Sequence, residues 1–206
     1  MKVTGLILRA TPNRGRVWTL EAFTEQLGRI TFSAIAQQST GFCPFCLVEA
    51  EIELNASFPF SKDVEVLDTF ADVRSHKDAS KAALLIRAIL ERCMPMRAPA
   101  EATWKIAKAL LETLPSFCDW KAAPLLFALT LFEHEGVNPR SLVELKTLTE
   151  ESRKAIEHLL DSNEQTWRET TVPEEVLSAA LETIGVQICE RGDLNPYEVT
   201  LTTTSK

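Results

Sequence analysis

Three arginines, two aromatic residues and one cysteine pair are the side chains here whose types and spacing could do chemistry. Arg14, Arg16 and Arg29 fall at or beside two glycine turns, Pro12-Asn13-Arg14-Gly15 and Thr24-Glu25-Gln26-Leu27-Gly28. Trp18 and Phe32 lie on the β-rich runs that these turns connect. Guanidinium groups track phosphates, and an exposed ring on a barrel can stack a base, so the set has a mechanism for binding nucleic acid. A second reading needs no ligand: Trp18 and Phe32 as barrel core, and the arginines as solubilising charge. Spacing alone leaves the two open.

The cysteine pair is Cys43-Pro44-Phe45-Cys46. A tetrahedral zinc site needs four ligands, and no second Cys-x-x-Cys or paired histidine stands at a workable spacing. A thioredoxin-type pair would open a helix, whereas this one precedes an alternating strand. The spacing therefore favours two buried thiols and a proline bend entering that strand. His76, His134 and His158 are scattered and none stands near a serine, cysteine or aspartate as a nucleophile's base would. His134, between Glu133 and Glu135, reads as a cation at a helix end. Glu49, Glu51 and Glu53 alternate along one strand and read as a solvated face rather than as metal ligands. No glycine-rich phosphate loop follows a strand, and no acid, base and nucleophile set emerges, so no enzyme activity, metal or cofactor is expected.

The elements that would carry these residues follow from periodicity. Five strands are expected, over residues 5–9, 17–23, 29–35, 47–54 and 64–70. In the fourth, Val48, Ala50, Ile52 and Leu54 alternate with the three glutamates, which turns one face inward. The connector to the third strand suits a hairpin on a type I turn, with Gly28 at positive φ. Five short strands with glycine turns suit a small closed β-barrel of the OB type. After Ser75 the texture becomes helical, with apolar stripes over 80–93, 101–114 and 120–135. The last of these is the most apolar and reads as the central helix of a bundle, ended by Gly136. Thr147-Leu148-Thr149-Glu150 resembles a capping box for a helix to about Leu160. Pro173 sits at the first turn of a final helix running to about Arg191, and residues 200–206 read as a frayed tail. The expected fold class is α+β: an OB-fold over residues 1–75, the candidate DNA-binding domain, then an all-helical domain over 76–206.

With 206 residues, the chain has room for two modest domains, and its 45% hydrophobic and 25% charged content is ordinary for a globular protein. No apolar run approaches the ~20 residues that span a bilayer. The opening residues, Met1-Lys2-Val3-Thr4-Gly5, lead straight into a strand without a signal-peptide core. Five irregularly spaced cysteines do not form a disulfide framework, so a reducing cytoplasm is the expected compartment. The net charge of −7 disfavours a protein that coats nucleic acid. Its distribution is uneven: residues 1–40 hold five basic and two acidic residues, and residues 41–80 hold three basic and eight acidic. An anionic ligand is expected at the amino-terminal end, and weakly held.

At these same residues the chain resembles the RecO family of bacterial DNA-repair proteins. The family's amino-terminal OB-fold carries a Phe-Thr-Glu-x-x-Gly-(Arg/Lys) hairpin, matched here by Phe23-Thr24-Glu25-Gln26-Leu27-Gly28-Arg29. Its Gly-x-x-(Gln)-Pro-Phe segment and the strand after it are similar to Gly41-Phe42-Cys43-Pro44-Phe45 and Leu47-Val48-Glu49-Ala50-Glu51-Ile52-Glu53-Leu54. On that match the cysteines are incidental to Pro44-Phe45. The apolar helix ending Leu131-Phe132-Glu133-His134-Glu135-Gly136 is also similar to a family segment. The likeness runs over residues 5–70, more loosely over 76–136, and is one of pattern beyond.

The resemblance implies a cytoplasmic, nucleoid-associated recombination mediator. Such a protein binds single- and double-stranded DNA, anneals complementary strands, and helps load recombinase onto strands covered by single-strand-binding protein, with RecR as partner. Arg14, Arg16, Arg29 and Trp18 would be the DNA-binding residues. Two departures bear on this. The basic loop between strands three and four is replaced by Ala36-Gln37-Gln38-Ser39-Thr40, and residues 137–146 lack the cysteines of the family's zinc knuckle. Each missing cation removes a phosphate contact and its counterion release, so DNA binding is expected to be weak or partner-assisted, or replaced by an adaptor role. The helical part would dock the acidic tail of single-strand-binding protein, with Arg87, Arg92, Arg97, Lys105, Lys108 and Lys121 as candidate cations. The missing ligand pair also generates a prediction. The purified protein should carry no stoichiometric zinc by elemental analysis; about one zinc per chain, lost on Cys43→Ser, would overturn it.

Overall fold

The computed structural model describes residues 1–35, 42–54, 58–134, 136, 138–143, 148–162 and 164–189. The loop at 36–40, Gly41, Glu135, Val137, residues 144–147 with Thr147, the end expected at Arg191 and the tail at 200–206 lie outside the described residues. Five strands, β1 (Lys2–Pro12), β2 (Val17–Thr24), β3 (Gly28–Ile35), β4 (Leu47–Glu53) and β5 (Phe60–Asp68), form a closed barrel in the order β1-β2-β3-β5-β4. The β3–β5 pairing is parallel, through Ser33 with Phe60 and Ala34 with Ser61, and the other four are antiparallel. This is the α+β, OB-type arrangement that the strand count suggested. β1 runs beyond the expected 5–9 at both ends, and β5 starts four residues before the expected 64 and ends two before the expected 70. β1 carries a bulge between Ile7 and Arg9, and a register shift breaks the inward-outward alternation on which a periodicity reading relies.

The inward rows follow the pleat. Val48, Ala50 and Ile52 of β4 join Leu20, Ala22, Ile30 and Phe32 in the barrel interior, with Glu51 and Glu53 exposed. Leu54, expected to extend that row, lies just past β4 and is 41% exposed. The 24–28 hairpin is tied by its own threonine: Thr24 Oγ1 accepts from Leu27 N at 3.1 Å and donates to the Gly28 carbonyl at 2.9 Å. Gly28 has φ +65, as its place at the turn demands.

Seven α-helices follow among the described residues: α1 (Ala71–Ser75), α2 (Lys77–Cys93), α3 (Glu101–Thr113), α4 (Ala122–His134), α5 (Glu150–Leu160), α6 (Glu164–Glu169) and α7 (Glu174–Cys189). The short α1 and α6 escape a sequence reading because one helical turn shows no periodicity. The chain divides into two compact units, Met1–Pro115 and Ser116–Lys206, so α1 to α3 belong with the barrel. Leu6, Leu8 and Phe23 are at most 1% exposed although they lie outside the interior set. The helical segment meets that wall where Arg9 binds Glu91 of α2 and where Met96 bridges to Arg29. In the second unit α4 is buried almost all round, with Leu125, Phe127, Ala128 and Phe132 at 0–1% exposure, and packs against α6 and α7. Pro124 sits in its first turn, where no backbone donor is needed. Thr149, rather than Thr147, caps α5 by accepting from Ser152 N. Pro173 precedes α7, its carbonyl accepting from Val176 N at 3.1 Å.

Two positive-φ glycines separate turn chemistry from packing. A Cβ on Gly15 (φ +70) would meet open space, whereas one on Gly28 would fall 1.8 Å from the Ala98 carbonyl oxygen. Gly15→Ala should therefore cost about 1 kcal/mol for the left-handed backbone alone. Gly28→Ala should cost about 3 kcal/mol or more, because backbone must also move. Urea denaturation of the two variants checks this; equal costs would remove the Ala98 contact from the account.

Candidate nucleic-acid interface

β1 and β2 are joined by a turn in which Asn13 N donates to the Val17 carbonyl at 2.8 Å, and Asn13 Nδ2 to Thr19 Oγ1 at 2.8 Å. That frame holds Arg14 and Arg16 out in solvent. Both are exposed, and neither side chain has a hydrogen bond or ion pair among the described residues. Arg29 is placed differently. It pairs in register with Phe23, at the far end of β2 from Arg16. At about 3.3 Å per residue that puts it roughly 20 Å from the other two. Its Nε lies 3.3 Å from Glu21 Oε1 and 3.0 Å from Met96 Sδ, with the side chain 19% exposed. The structure thus brings Arg14 and Arg16 together and engages Arg29 in holding the helical segment to β3.

The aromatics follow the barrel's pleat. Phe32 is 1% exposed and belongs to the core. Trp18 is half-buried at the edge of that core, edge-on to Phe42 with ring centroids 6.1 Å apart. The alternating outward positions of β2 and β3 are Thr19 opposite Ser33 and Glu21 opposite Thr31, which offer hydroxyls and one carboxylate rather than a stacking surface. Among the described residues the exposed ring is Phe58, at 45% exposure just before β5. Val17 pairs with Ile35, Ser33 pairs with Phe60, and Ser33 N donates to the Pro59 carbonyl at 2.9 Å. The start of β5 therefore lies at the same end of the barrel as the Arg14–Arg16 turn. In OB-folds the β1–β2 and β4–β5 loops flank the oligonucleotide site. Sequence reasoning missed Phe58; an aromatic next to Pro59 in the loop between the last two strands was the available signal.

Elsewhere the barrel's cations are spent on carboxylates. Lys2 pairs with Glu49 at 2.6 Å, and Arg9 and Arg87 both bind Glu91, at 2.6 and 2.7 Å. Burial pushes the Glu91 carboxyl up, and the two guanidiniums outweigh it, holding the group below the ordinary carboxylate range. On β4 and β5, Glu49 stands opposite Glu65. A 510 Å³ cleft beside them is lined by Glu51, Glu53 and Asp63 with Lys62 and the Met1 ammonium as its cations. That wall repels a phosphate backbone. Of the helical cations expected to rim a groove, Arg87, Lys105 and Lys108 are paired along their own helices, with Glu91, Glu101 and Glu112, and Lys121 lies near Asp119 and Glu174.

The cysteine pair forms a turn on the barrel. Cys46 N donates to the Cys43 carbonyl at 3.4 Å, Pro44 and Phe45 are the central residues, and Phe45 has φ 64, as at the third position of a type II turn. Cys46 is buried and Cys43 half-buried, both thiols are free, and their sulfurs lie 2.9 Å apart. Among the described residues no three His, Cys, Asp or Glu side chains are grouped to hold a metal ion. His76, His134 and His158 are exposed on separate elements, His134 as the last residue of α4. No described helix is long and apolar enough to cross a membrane.

The different settings of the arginines predict different costs. Arg14→Glu and Arg16→Glu should leave stability within ~0.5 kcal/mol, as surface changes do. Arg29→Glu should cost about 2 kcal/mol by urea denaturation, because it sets two carboxylates against each other in a pocket mostly closed to water. Equal, small effects at all three would show that the Arg29–Glu21 pair does not hold the hairpin. No family model matches this sequence and no curated protein does, so the functional reading rests on this geometry and on the sequence motifs.

Proposed function

We propose that this chain is a non-enzymatic DNA-binding protein of recombinational repair, with a RecO-like role in annealing strands and in helping to load recombinase. It acts in the cytoplasm at the nucleoid, on strands covered by single-strand-binding protein and with RecR as partner. The observation that carries the reading is the loop end of the OB barrel, where two guanidiniums without a partner among the described residues, Arg14 and Arg16, share one end with the exposed ring of Phe58. The arginines would bind consecutive phosphates, and Phe58 would stack one base, a contact worth about 1–3 kcal/mol. Trp18, at the edge of the core, would support Phe42 and the loop rather than stack a base itself.

Two phosphate contacts make the binding weak and shallow in salt. For a single strand the slope of log K against log salt is expected near −1.4, at about −0.7 per contact. Such a site needs help to compete with a strand-coating protein, which is the reason to place RecR and single-strand-binding protein beside it. A second reading, an interaction adaptor without direct DNA binding, draws on one observation. Lys2, Arg9 and Arg29, which could have widened the basic surface, are each paired with a glutamate.

Fluorescence anisotropy of a labelled single-stranded oligonucleotide against the full chain, from low to physiological salt, separates the readings. The proposal expects weak binding with a slope between about −1 and −2, lost in Arg14→Glu/Arg16→Glu and weakened about tenfold in Phe58→Ala. No binding at low salt favours the adaptor. Binding that the variants leave unchanged moves the site away from this end of the barrel.

A further inference from the structure

The turn at Cys43-Pro44-Phe45-Cys46 has a geometry that neither packing nor nucleic-acid binding requires. Its two free sulfurs are 2.9 Å apart, inside the separation of two sulfurs in ordinary van der Waals contact. The backbone bond from Cys46 N to the Cys43 carbonyl closes a tight turn, which brings the two Cα atoms within the range a disulfide bridges. The turn is fixed to the barrel on both sides of Ile7: Phe45 N donates to the Ile7 carbonyl at 2.7 Å, and Ile7 N donates to the Cys46 carbonyl at 2.9 Å. The main chain therefore fixes the two Cα atoms near each other, and the side-chain rotamers bring the sulfurs together. A third group completes the cluster. Arg74 of α1 donates from Nη1 to Cys43 Sγ at 2.5 Å and stands 4.0 Å from Cys46 Sγ. A fixed cation in contact with the sulfur opposes a metal ion there and fixes the direction in which Cys43 Sγ points.

We propose that Cys43 and Cys46 are a redox-active dithiol that exchanges with small-molecule disulfides, with Cys43 as the attacking sulfur and Arg74 as its positioning cation. Cys43 is the half-buried member, reachable from solvent beside Arg74, and Cys46 is buried behind it. Burial, with the hydrogen bond to Cys43, pushes the Cys46 thiol up to about 11, which keeps it protonated until the second step. In the first step Cys43 Sγ attacks one sulfur of a disulfide RSSR. The S–S bond breaks, RS⁻ leaves, and it takes up the proton that Cys43 has lost. In the second step Cys46 Sγ attacks Cys43 Sγ, expels the remaining RS⁻ and hands it the Cys46 proton. The balance is one protein dithiol and one RSSR giving one protein disulfide and two RSH, with two electrons passed to the small disulfide. The disulfide sulfur accepts hydrogen bonds poorly, so oxidation frees Arg74 from the turn and loosens the tie between α1 and the barrel. This site is independent of the nucleic-acid reading.

The test uses the full chain, fully reduced, incubated with oxidised glutathione, acid-quenched, alkylated and mapped by mass spectrometry. The peptide holding both cysteines should lose two hydrogens and its two alkylation sites, sooner than the exposed Cys118 acquires glutathione. Cys46→Ser should stop at a mixed disulfide on Cys43. Arg74→Gln should slow that step about tenfold, and Arg74→Lys should restore most of the rate. If both thiols remain alkylatable when Cys118 is fully modified, the proposal is wrong; that comparison uses the unaltered chain and does not depend on any variant folding. A mixed disulfide that forms on Cys43 in Cys46→Ser no faster than on Cys118, or no dependence on Arg74, would overturn the assigned roles.

Discussion

Closure of the barrel is the constraint on which the rest of the first unit depends. β1 must pair with β4 on one side while β2, β3 and β5 complete the ring, and the parallel β3–β5 contact is held in register by only Ser33–Phe60 and Ala34–Ser61. Leaving either seam open would expose a row of unpaired backbone groups. The Ile7 backbone extends the first seam beyond β4 by bonding to both Phe45 and Cys46. One set of main-chain hydrogen bonds thus closes the sheet and fixes the cysteine turn, which keeps Cys46 buried and leaves Cys43 half-buried. The same closure brings the 13–16 turn and the start of β5 to one end, although some 40 residues separate them in the chain.

Charge is partitioned by the same architecture. Along β4 the period of two sends Glu51 and Glu53 outward, and β5 adds Glu65 opposite Glu49, so one wall is acidic. The arginines on or beside the opposite wall are divided by position along β2. Arg29 lies where the helical segment returns to β3, with Arg97 N bonded to its carbonyl and Met96 against its side chain, and is used for packing. Arg14 and Arg16 lie beyond the reach of that segment and keep their charge available. A protein with a net charge of −7 can still offer a small basic end, provided its other cations are matched in place. The cost is a site with few phosphate contacts and little affinity of its own.

The structure also separates two roles for threonine and glycine that look alike in sequence. Thr24 is 1% exposed and bonds across its own hairpin, while Thr19 is half-exposed and accepts from Asn13 on the adjacent turn. Gly15 is a turn residue with space around it, whereas Gly28 lets the Ala98 carbonyl approach the hairpin backbone. The threonine bonds are both local, whereas the approach at Gly28 belongs to a neighbour distant in the chain, so no local pattern announces it.

Much of the fold was legible because it follows from period and punctuation. The alternation of Val48, Ala50 and Ile52 with glutamates, the glycine at 28 and the apolar run of α4 each report a local rule, and each element formed where its rule placed it. The open question about Trp18 and Phe32 could not be settled that way. Both stand at even positions on paired strands, and only closure decides which side of the pleat is inside; it put Phe32 in the core and Trp18 at its edge. Placement beside turns likewise made Arg14, Arg16 and Arg29 look like one set, because a sequence shows that each adjoins a turn and not the length of the strand that holds the turns apart. Phe58 and Arg74 went unread for the converse reason: the β3–β5 pairing sets the end of the barrel at which the residues before Phe60 lie, and the docking of α1 brings Arg74 to the cysteine turn. Residue type and local period thus set what each segment could be, whereas tertiary pairing decided which charges stay free, which ring is exposed and which two sulfurs meet a cation. Those outcomes depend on long-range partners whose positions exist only once the barrel has closed.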